Sequence, residues 1–508
     1  MKIFKRLLIT IVLLTGGAII NSCKKSYTNL LPHGPTELSY FTKEDDFNKA
    51  VLGVYAKMVD YFSFNAGDFV GGGAGITPIT CFLLPGDDIT TNDDEDFEQF
   101  GSLQPSNGRL TRLYKEQYQQ VARANVVLQK IAELGDNVYK TPNLKDYHKG
   151  EALFLRGYAY YNLWNFFGTS PLVTERVTSS DQFFPPSTTG TQLLDQAIAD
   201  FTEAATLLPA SWDAANRGRV TVNSANGMLG KCLVFRASAT KAVADYTAAI
   251  TAFNKIAPAV KLVKDFGDNF AFDTENNEES LFEFQASQAF GFDNVWLSND
   301  FDNAVGQLSI FWGFYDDNFA LFGASRYYVT GKVANAFNAA DPRIASTFDP
   351  ADRTVKKYVT RDKIGASGVG SVNNYRILRY ADVLLLKAEA ILQSGGSASQ
   401  AIGLINQVRA RARAMAPAGI EPADRSTSQT DKNVIMGWIM TERLLELTGE
   451  GQRWFDIRRW ALQGILTIDN AFFSSNISNM NFQLYNLYFP IPNSERDVNP
   501  NVTQNPGY

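Results

Sequence analysis

Apolar residues recur every three to four positions over long stretches of this chain, the spacing of helices with one buried face. Thr42, followed by Glu44, Asp45 and Asp46, predicts an N-cap with acids in the first turn and a helix over 43–59. The same period predicts helices at about 108–134, 147–167, 190–208, 221–240 and 243–257, then at 380–394 and 398–414. Between the first two, residues 60–107 carry little period. They hold the run Gly71-Gly72-Gly73-Ala74-Gly75 and the acids Asp93, Asp94, Glu95 and Asp96. A long irregular stretch inside a compact domain is usually functional. Residues 258–370 lose the helical period and gain aromatics, seventeen of them between Phe266 and Tyr328. A second irregular segment, 466–508, ends the chain. Helices on both sides of the aromatic segment predict one continuous body.

Small residues mark where the helices approach one another. Ala197, Phe201, Ala204 and Pro209 fall at the positions of the second helix of a tetratricopeptide repeat, and Gly157 and Tyr160 supply its first helix upstream. Residues 224–239 with 243–257 form a second pair, carrying Leu229, Gly230, Ala249 and Phe253. A third, 380–394 with 398–414, carries Ala390 and Ala401. The fold class is therefore mostly α, with tetratricopeptide-like helix pairs against a loop-rich lobe.

Composition narrows the chemistry. With 47 basic and 53 acidic residues, the chain has no cationic excess to neutralise phosphates, so a basic nucleic-acid binder is excluded. Only His33 and His148 are available, which excludes any centre built on several His ligands. Cys81 and Cys232 match no metal-ligand spacing; buried thiols are the simpler reading and a disulfide the alternative. There is no HExxH, no GxSxG and no calcium-loop motif, and Gly230-Lys231-Cys232 lacks the spaced glycine and hydroxyl of a phosphate loop. The acids at 93–96 read as a solvated loop, with a calcium site as the alternative. Nothing here calls for a cofactor, a metal or a catalytic residue.

The first residues read as an address. Lys2, Lys5 and Arg6 precede an apolar run from Leu7 to Ile20, too short for a transmembrane helix but suited to a secretory signal. The run ends in Ile20-Asn21-Ser22-Cys23, which resembles the lipobox of bacterial lipoproteins. On that reading 1–22 is a signal peptide, Cys23 is the lipidated residue and 23–40 is a tether. No later segment is long and apolar enough to span a bilayer.

The C-terminal third carries the most specific motifs. Residues 375–390 read YRILRYADVLLLKAEA, residues 442–460 read ERLLELTGEGQRWFDIRRW, and the chain ends FPIPNSERDVNPNVTQNPGY. With the lipobox and the segment TGKVANAFNAADPR that ends at Arg343, this closely resembles the SusD/RagB family of outer-membrane nutrient-binding lipoproteins. The resemblance implies a single body over 41–508, with a helix-pair scaffold at about 41–257 and 371–465 and a loop-rich lobe at about 258–370 and 466–508. It also implies lipid-anchored attachment to the outer membrane, facing the cell surface, and capture of oligosaccharides without cleavage. The implied partner is a SusC-type TonB-dependent transporter. Peptide capture, as in RagB-like members, and a helical scaffold that binds only protein are the alternatives. Lys24, Lys25 and Ser26 follow the cysteine where surface-exposed members often carry acids, so the orientation rests on the resemblance alone.

The family draws its ligand site from an early insertion and from mid-chain loops, here about 60–107 and 290–330. An aromatic ring can cover the apolar face of a sugar while amides and carboxylates meet its hydroxyls. Trp296, Trp312 and Tyr315 are the leading candidates, with Asn294 and Asn299 beside Trp296, and Phe97 and Phe100 in second rank. The charges Glu442, Arg443, Glu446, Glu450, Arg453, Asp456, Arg458 and Arg459 read as paired ions that fix the register of packed helices, not as an active site.

Overall fold

A computed structural model describes residues 40–58, 62, 79–91, 96–101, 103–286, 327–358, 373–417, 419–474 and 479–508. The described chain is mostly helical. Helix α1 spans Glu44–Ala56, α2 Gly108–Val138, α3 Leu144–Phe167, α4 Gln192–Leu207, α5 Val222–Thr240 and α6 Val243–Phe253. Helices α7 (Tyr380–Gln393), α8 (Ala398–Ala414), α9 (Lys432–Leu447) and α10 (Arg453–Gln463) follow the lobe. From α2 to α8 each of these helices packs on the next in chain order, as in a superhelix of helix pairs.

The predicted helices are present with shifted ends. Backbone at Lys43 is extended, so α1 begins one position later than predicted, and Thr42 does not act as an acceptor. Its hydroxyl and its N–H both donate to Asp46, which also takes the N–H of Lys43. The acid in the first turn does the capping because its carboxylate reaches back to both N–H groups.

The small residues sit where they were predicted to be needed. A Cβ on Gly157 would stand 3.1 Å from Cβ of Asp200 and 3.3 Å from the Ala197 carbonyl, so α3 and α4 meet nearly backbone to backbone. On Gly230 it would stand 2.3 Å from a ring carbon of Phe253, which closes α5 on α6. The third pair divides its contacts. Ala401 joins Ile402, Ile405 and Val408 of α8, Leu384 and Leu385 of α7 and Ile435 of α9 in a small core, while Ala390 faces the main one.

Two short antiparallel sheets stitch the lobe to the scaffold. Strand β1 (Ile89–Thr91) pairs with β3 (Tyr327–Val329), Thr91 opposite Tyr327. Strand β2 (Ser280–Phe284) pairs with β4 (Tyr375–Arg379), Phe284 opposite Tyr375. The aromatic segment is largely core where it is described: Phe266, Phe270, Phe282, Phe284 and Tyr327 are buried, and Phe272 is exposed. The main core takes residues from Phe41 to Val502, so scaffold and lobe share one apolar interior. Cys81 and Cys232 are buried and form no disulfide with each other.

Candidate functional site

The leading candidates Trp296, Trp312, Tyr315, Asn294 and Asn299 lie outside the described residues, as do Cys23 and the glycine run at 71–75. The described chain that flanks those segments is rich in aromatic rings. Phe62 and Phe82 border 63–78, Phe284 and Tyr327 border 287–326, and Tyr358 and Tyr375 border 359–372. Phe62 gathers three of these rings, with centroids 5.6 Å from Phe82, 5.7 Å from Phe284 and 5.1 Å from Tyr375. Tyr358 adds to the cluster at 5.3 Å from Tyr375. The Ala286 N–H donates to Asn374 Oδ1 at 2.7 Å, tying the start of one border to the end of another. The stretches expected to carry ligand therefore spring from one aromatic platform. Its cost in buried polar backbone is met by side-chain amides such as Asn373, which donates to the Phe270 carbonyl at 2.6 Å.

The turn Thr448–Gln452 holds this platform. Gly449 and Gly451 have φ of +76° and +67°, the left-handed region that favours glycine. A Cβ on Gly451 would stand 2.5 Å from Tyr375 Oη, so no larger residue fits beneath the platform. The Gly449 N–H donates to Asp88 at 3.0 Å, and Arg453 donates to Asp87 at 2.5 Å. Asp87 and Asp88 precede β1, so this turn clamps the early insertion to the C-terminal motif. Burial, the largest effect on Asp88, raises its carboxyl pKa to about 6 against the Gly449 N–H. For Asp87 burial acts in the same direction, but Arg453 and Lys332 outweigh it and hold the carboxyl below its usual range.

The motif charges form two buried, balanced networks. In the first, Glu446 accepts from Arg379 at 2.6 Å, from Arg343 at 2.9 Å and from Arg411. Glu442 bridges Arg343 at 2.8 Å and Arg409 at 2.6 Å, and Glu450 pairs with Arg379 and Lys357, each at 2.7 Å. Glu279 and Asp341 complete the set, making five cations and five anions. In the second, Lys231, Arg443 and Arg459 alternate with Asp382, Asp456 and Glu389. Burial works against ionising Glu446, but Arg411, Arg379 and Arg343 hold its carboxyl well below the usual range. Arg458 instead donates to the carbonyls of Leu487 and Trp164, with its guanidinium over the Trp164 and Tyr488 rings. Seven of the eight motif charges are ion-paired as predicted, Arg458 being the exception among the described residues, and Lys231 is held by Asp382 and Gln452 rather than free for phosphate.

Phe97 and Phe100 are a correction. Both are buried; Phe97 packs on Phe489, and Phe100 packs on Trp454, Phe473 and Phe482. They offer no exposed ring face to a sugar, because the C-terminal segment folds over them. Sequence reasoning also passed over Asp87, Asp88, Gly449 and Gly451 as a unit. Two glycines flanking an acid in TGEG was the available signal, but its partner lies 361 positions away.

Comparison with known proteins gives one family for most of the chain. The family model described as the SusD family matches residues 238–508, and one described as starch-binding associating with outer membrane matches 43–234. A SusD-like protein of Formosa agariphila is 26% identical, over 90% of this chain and 92% of its own. A SusD superfamily protein from Bacteroides vulgatus superposes with a TM-score of 0.71 at 25% identity, over 92% of this chain and 100% of that one. Surface glycan-binding protein A from Bacteroides thetaiotaomicron, solved in complex with laminarihexaose, shares the fold with a TM-score of 0.70 at 20% identity, over 91% of this chain and 100% of that one.

Proposed function

The chain belongs to the SusD family, and from that premise we propose that it captures oligosaccharides and delivers them to a SusC-type TonB-dependent transporter without cleaving them. The observation that carries this reading is the tiling of residues 43–508 by two family models, one described as starch-binding and outer-membrane-associated. The convergence of the flanking rings on Phe62 supports it, since a capture site drawn from several segments needs one rigid base. Trp296, Trp312 and Tyr315 stack on sugar rings, and Asn294 and Asn299 meet the hydroxyls. Cys23 carries the acyl chains, and several chains anchor far more firmly than one. The transporter opens and closes with this protein as its lid.

Calorimetric titration of the mature protein against a panel including laminarihexaose, with a peptide panel alongside, tests the capture reading. Saturable glycan binding is expected, and Trp296→Ala or Trp312→Ala should cost roughly 1–3 kcal/mol, on the scale of aromatic stacking on planar rings. Binding confined to peptides would transfer the reading to peptide capture, and steady release of reducing ends would make the protein an enzyme. Mass spectrometry of the native N-terminus tests acylation of Cys23. Affinity purification from membranes tests the transporter, and repeated recovery without a large barrel would count against it.

A further inference from the structure

A cavity lies at the first turn of α5. It holds about 250 Å³ and is bounded by the loop 210–219, the N-terminal residues of α5 and strand β2. That volume is just below the roughly 300–1,000 Å³ of pockets for drug-sized ligands, so it suits a ligand of one or two rings.

The walls are fixed before any ligand arrives. Half-buried Trp212 carries the Arg219 guanidinium over its ring at 4.5 Å and meets Tyr147 edge-on at 5.6 Å. Its indole N–H donates to the Val220 carbonyl at 2.9 Å. Arg219 is itself held by both oxygens of Glu151 at 2.6 Å. Gly218, at φ +94°, lets the loop close: a Cβ there would stand 2.3 Å from the Gln285 side chain. The aromatic wall is therefore a rigid one.

The polar lining is mixed in sign and incompletely used. Arg217 donates through Nη2 to the carbonyls of Glu275 and Asn276, and its charge also acts on the Glu275 carboxyl. Asn223 accepts the Ala257 N–H at 2.9 Å through Oδ1, which leaves its amide donors without a partner among the described residues. The Ser280 hydroxyl is likewise unpartnered among them. Glu283 also lines the cavity, buried, with its oxygens engaged by Asn276, Asn374 and Arg376. Arg376 meets the Glu283 charge and Glu275 lies within reach of Arg217, so the lining offers donors and acceptors without a bare charge that would select an ion. Hydroxyls that both donate and accept satisfy the two together.

We propose that this cavity is a second carbohydrate site, sized for a monosaccharide or a terminal disaccharide unit, with Trp212 as its apolar wall and Arg217, Asn223, Ser280 and Glu283 as its polar contacts. It goes beyond the loop-borne capture site and does not depend on it. Strand β2 joins the two: it lends Ser280 and Glu283 to the cavity and Phe284 to the platform.

Saturation-transfer NMR with glucose, galactose, mannose and N-acetylglucosamine tests the proposal on the mature protein, with laminarihexaose titrated in parallel. Asn223→Asp keeps the oxygen that accepts from Ala257 and removes the amide donors; Arg217→Gln removes the charge; Trp212→Phe keeps an aromatic wall. At least one monosaccharide should bind the parent, and the first two variants should each weaken it about three- to tenfold, one hydrogen bond's worth. Laminarihexaose affinity should be unchanged in all three. No monosaccharide binding by the parent overturns the proposal, as does binding that folded Asn223→Asp and Arg217→Gln leave intact, or displacement by acetate in place of sugar. Loss of laminarihexaose binding in Trp296→Ala with the monosaccharide site intact separates the two sites. Failure of the parent to bind any oligosaccharide, with the variant pattern above retained, would overturn the capture reading and leave this one standing.

Discussion

The Asp88 carboxylate accepts the Gly449 N–H at 3.0 Å, joining the end of the early insertion to the turn inside the C-terminal motif. One of its oxygens has no hydrogen-bond partner among the described residues, and Asp87 lies beside it with its own negative charge. The contact thus locates the platform at an electrostatic cost.

That cost predicts a stabilising substitution. The Asp88 pKa of about 6 in the fold exceeds its ordinary 3.8, so ionisation penalises the folded state above pH 6 and the penalty fades as pH falls towards 3.8. Asp88→Asn removes that penalty, in which the Gly449 hydrogen bond is already counted. A net gain of up to about 3 kcal/mol is expected from urea unfolding at pH 7, vanishing below pH 4. Equal effects at both pH values would refute the assignment.

His148 predicts the opposite slope. It is buried, with Nδ1 2.7 Å from Tyr139 Oη, and burial lowers its pKa to about 4, with Arg219 adding to the effect. Between pH 6.5 and 4 the unfolded chain binds the extra proton, so stability falls as pH drops through that window and levels off below it. The loss attributable to this group is at most about 3 kcal/mol. Unfolding midpoints of the parent and His148→Asn should converge as pH falls from 7 to 4; parallel curves would show that His148 does not titrate there.

Glu446 serves three arginines, so it should tolerate change poorly. Glu446→Gln leaves Arg343, Arg379 and Arg411 short of one negative charge in a buried site, and a loss of about 3–5 kcal/mol is expected. Lys49→Ala breaks an exposed pair with Asp45 and should leave the thermal midpoint unchanged. Similar midpoints for the two variants would mean the network is not charged as drawn.

Glycines of different surroundings should respond with opposite sign. Gly230→Ala gains about 1 kcal/mol of helix propensity but drives a methyl into the Phe253 ring, for a net loss of about 1–2 kcal/mol. Gly403→Ala in α8 meets nothing within 4 Å and should stabilise by up to about 1 kcal/mol. Adding Phe253→Leu to Gly230→Ala should recover part of the loss in a double-mutant cycle, whereas strict additivity would deny the contact.

The sequence alone determined the helices, their small-residue contacts and the structural character of the motif charges. Helical period is local, and a glycine or alanine on an apolar face carries its meaning in its size. So Gly157, Ala197 and Gly230 were legible without knowing their partners, and so was the family. Tertiary structure decided which charge meets which, because Glu446 draws its arginines from positions 343, 379 and 411 and no local rule relates those numbers. It also decided that Phe97 and Phe100 are core: the rings that cover them arrive from Trp454, Phe473, Phe482 and Phe489, hundreds of positions away. Exposure of an aromatic depends on what folds over it, and that is set by long-range packing rather than by its neighbours in the chain.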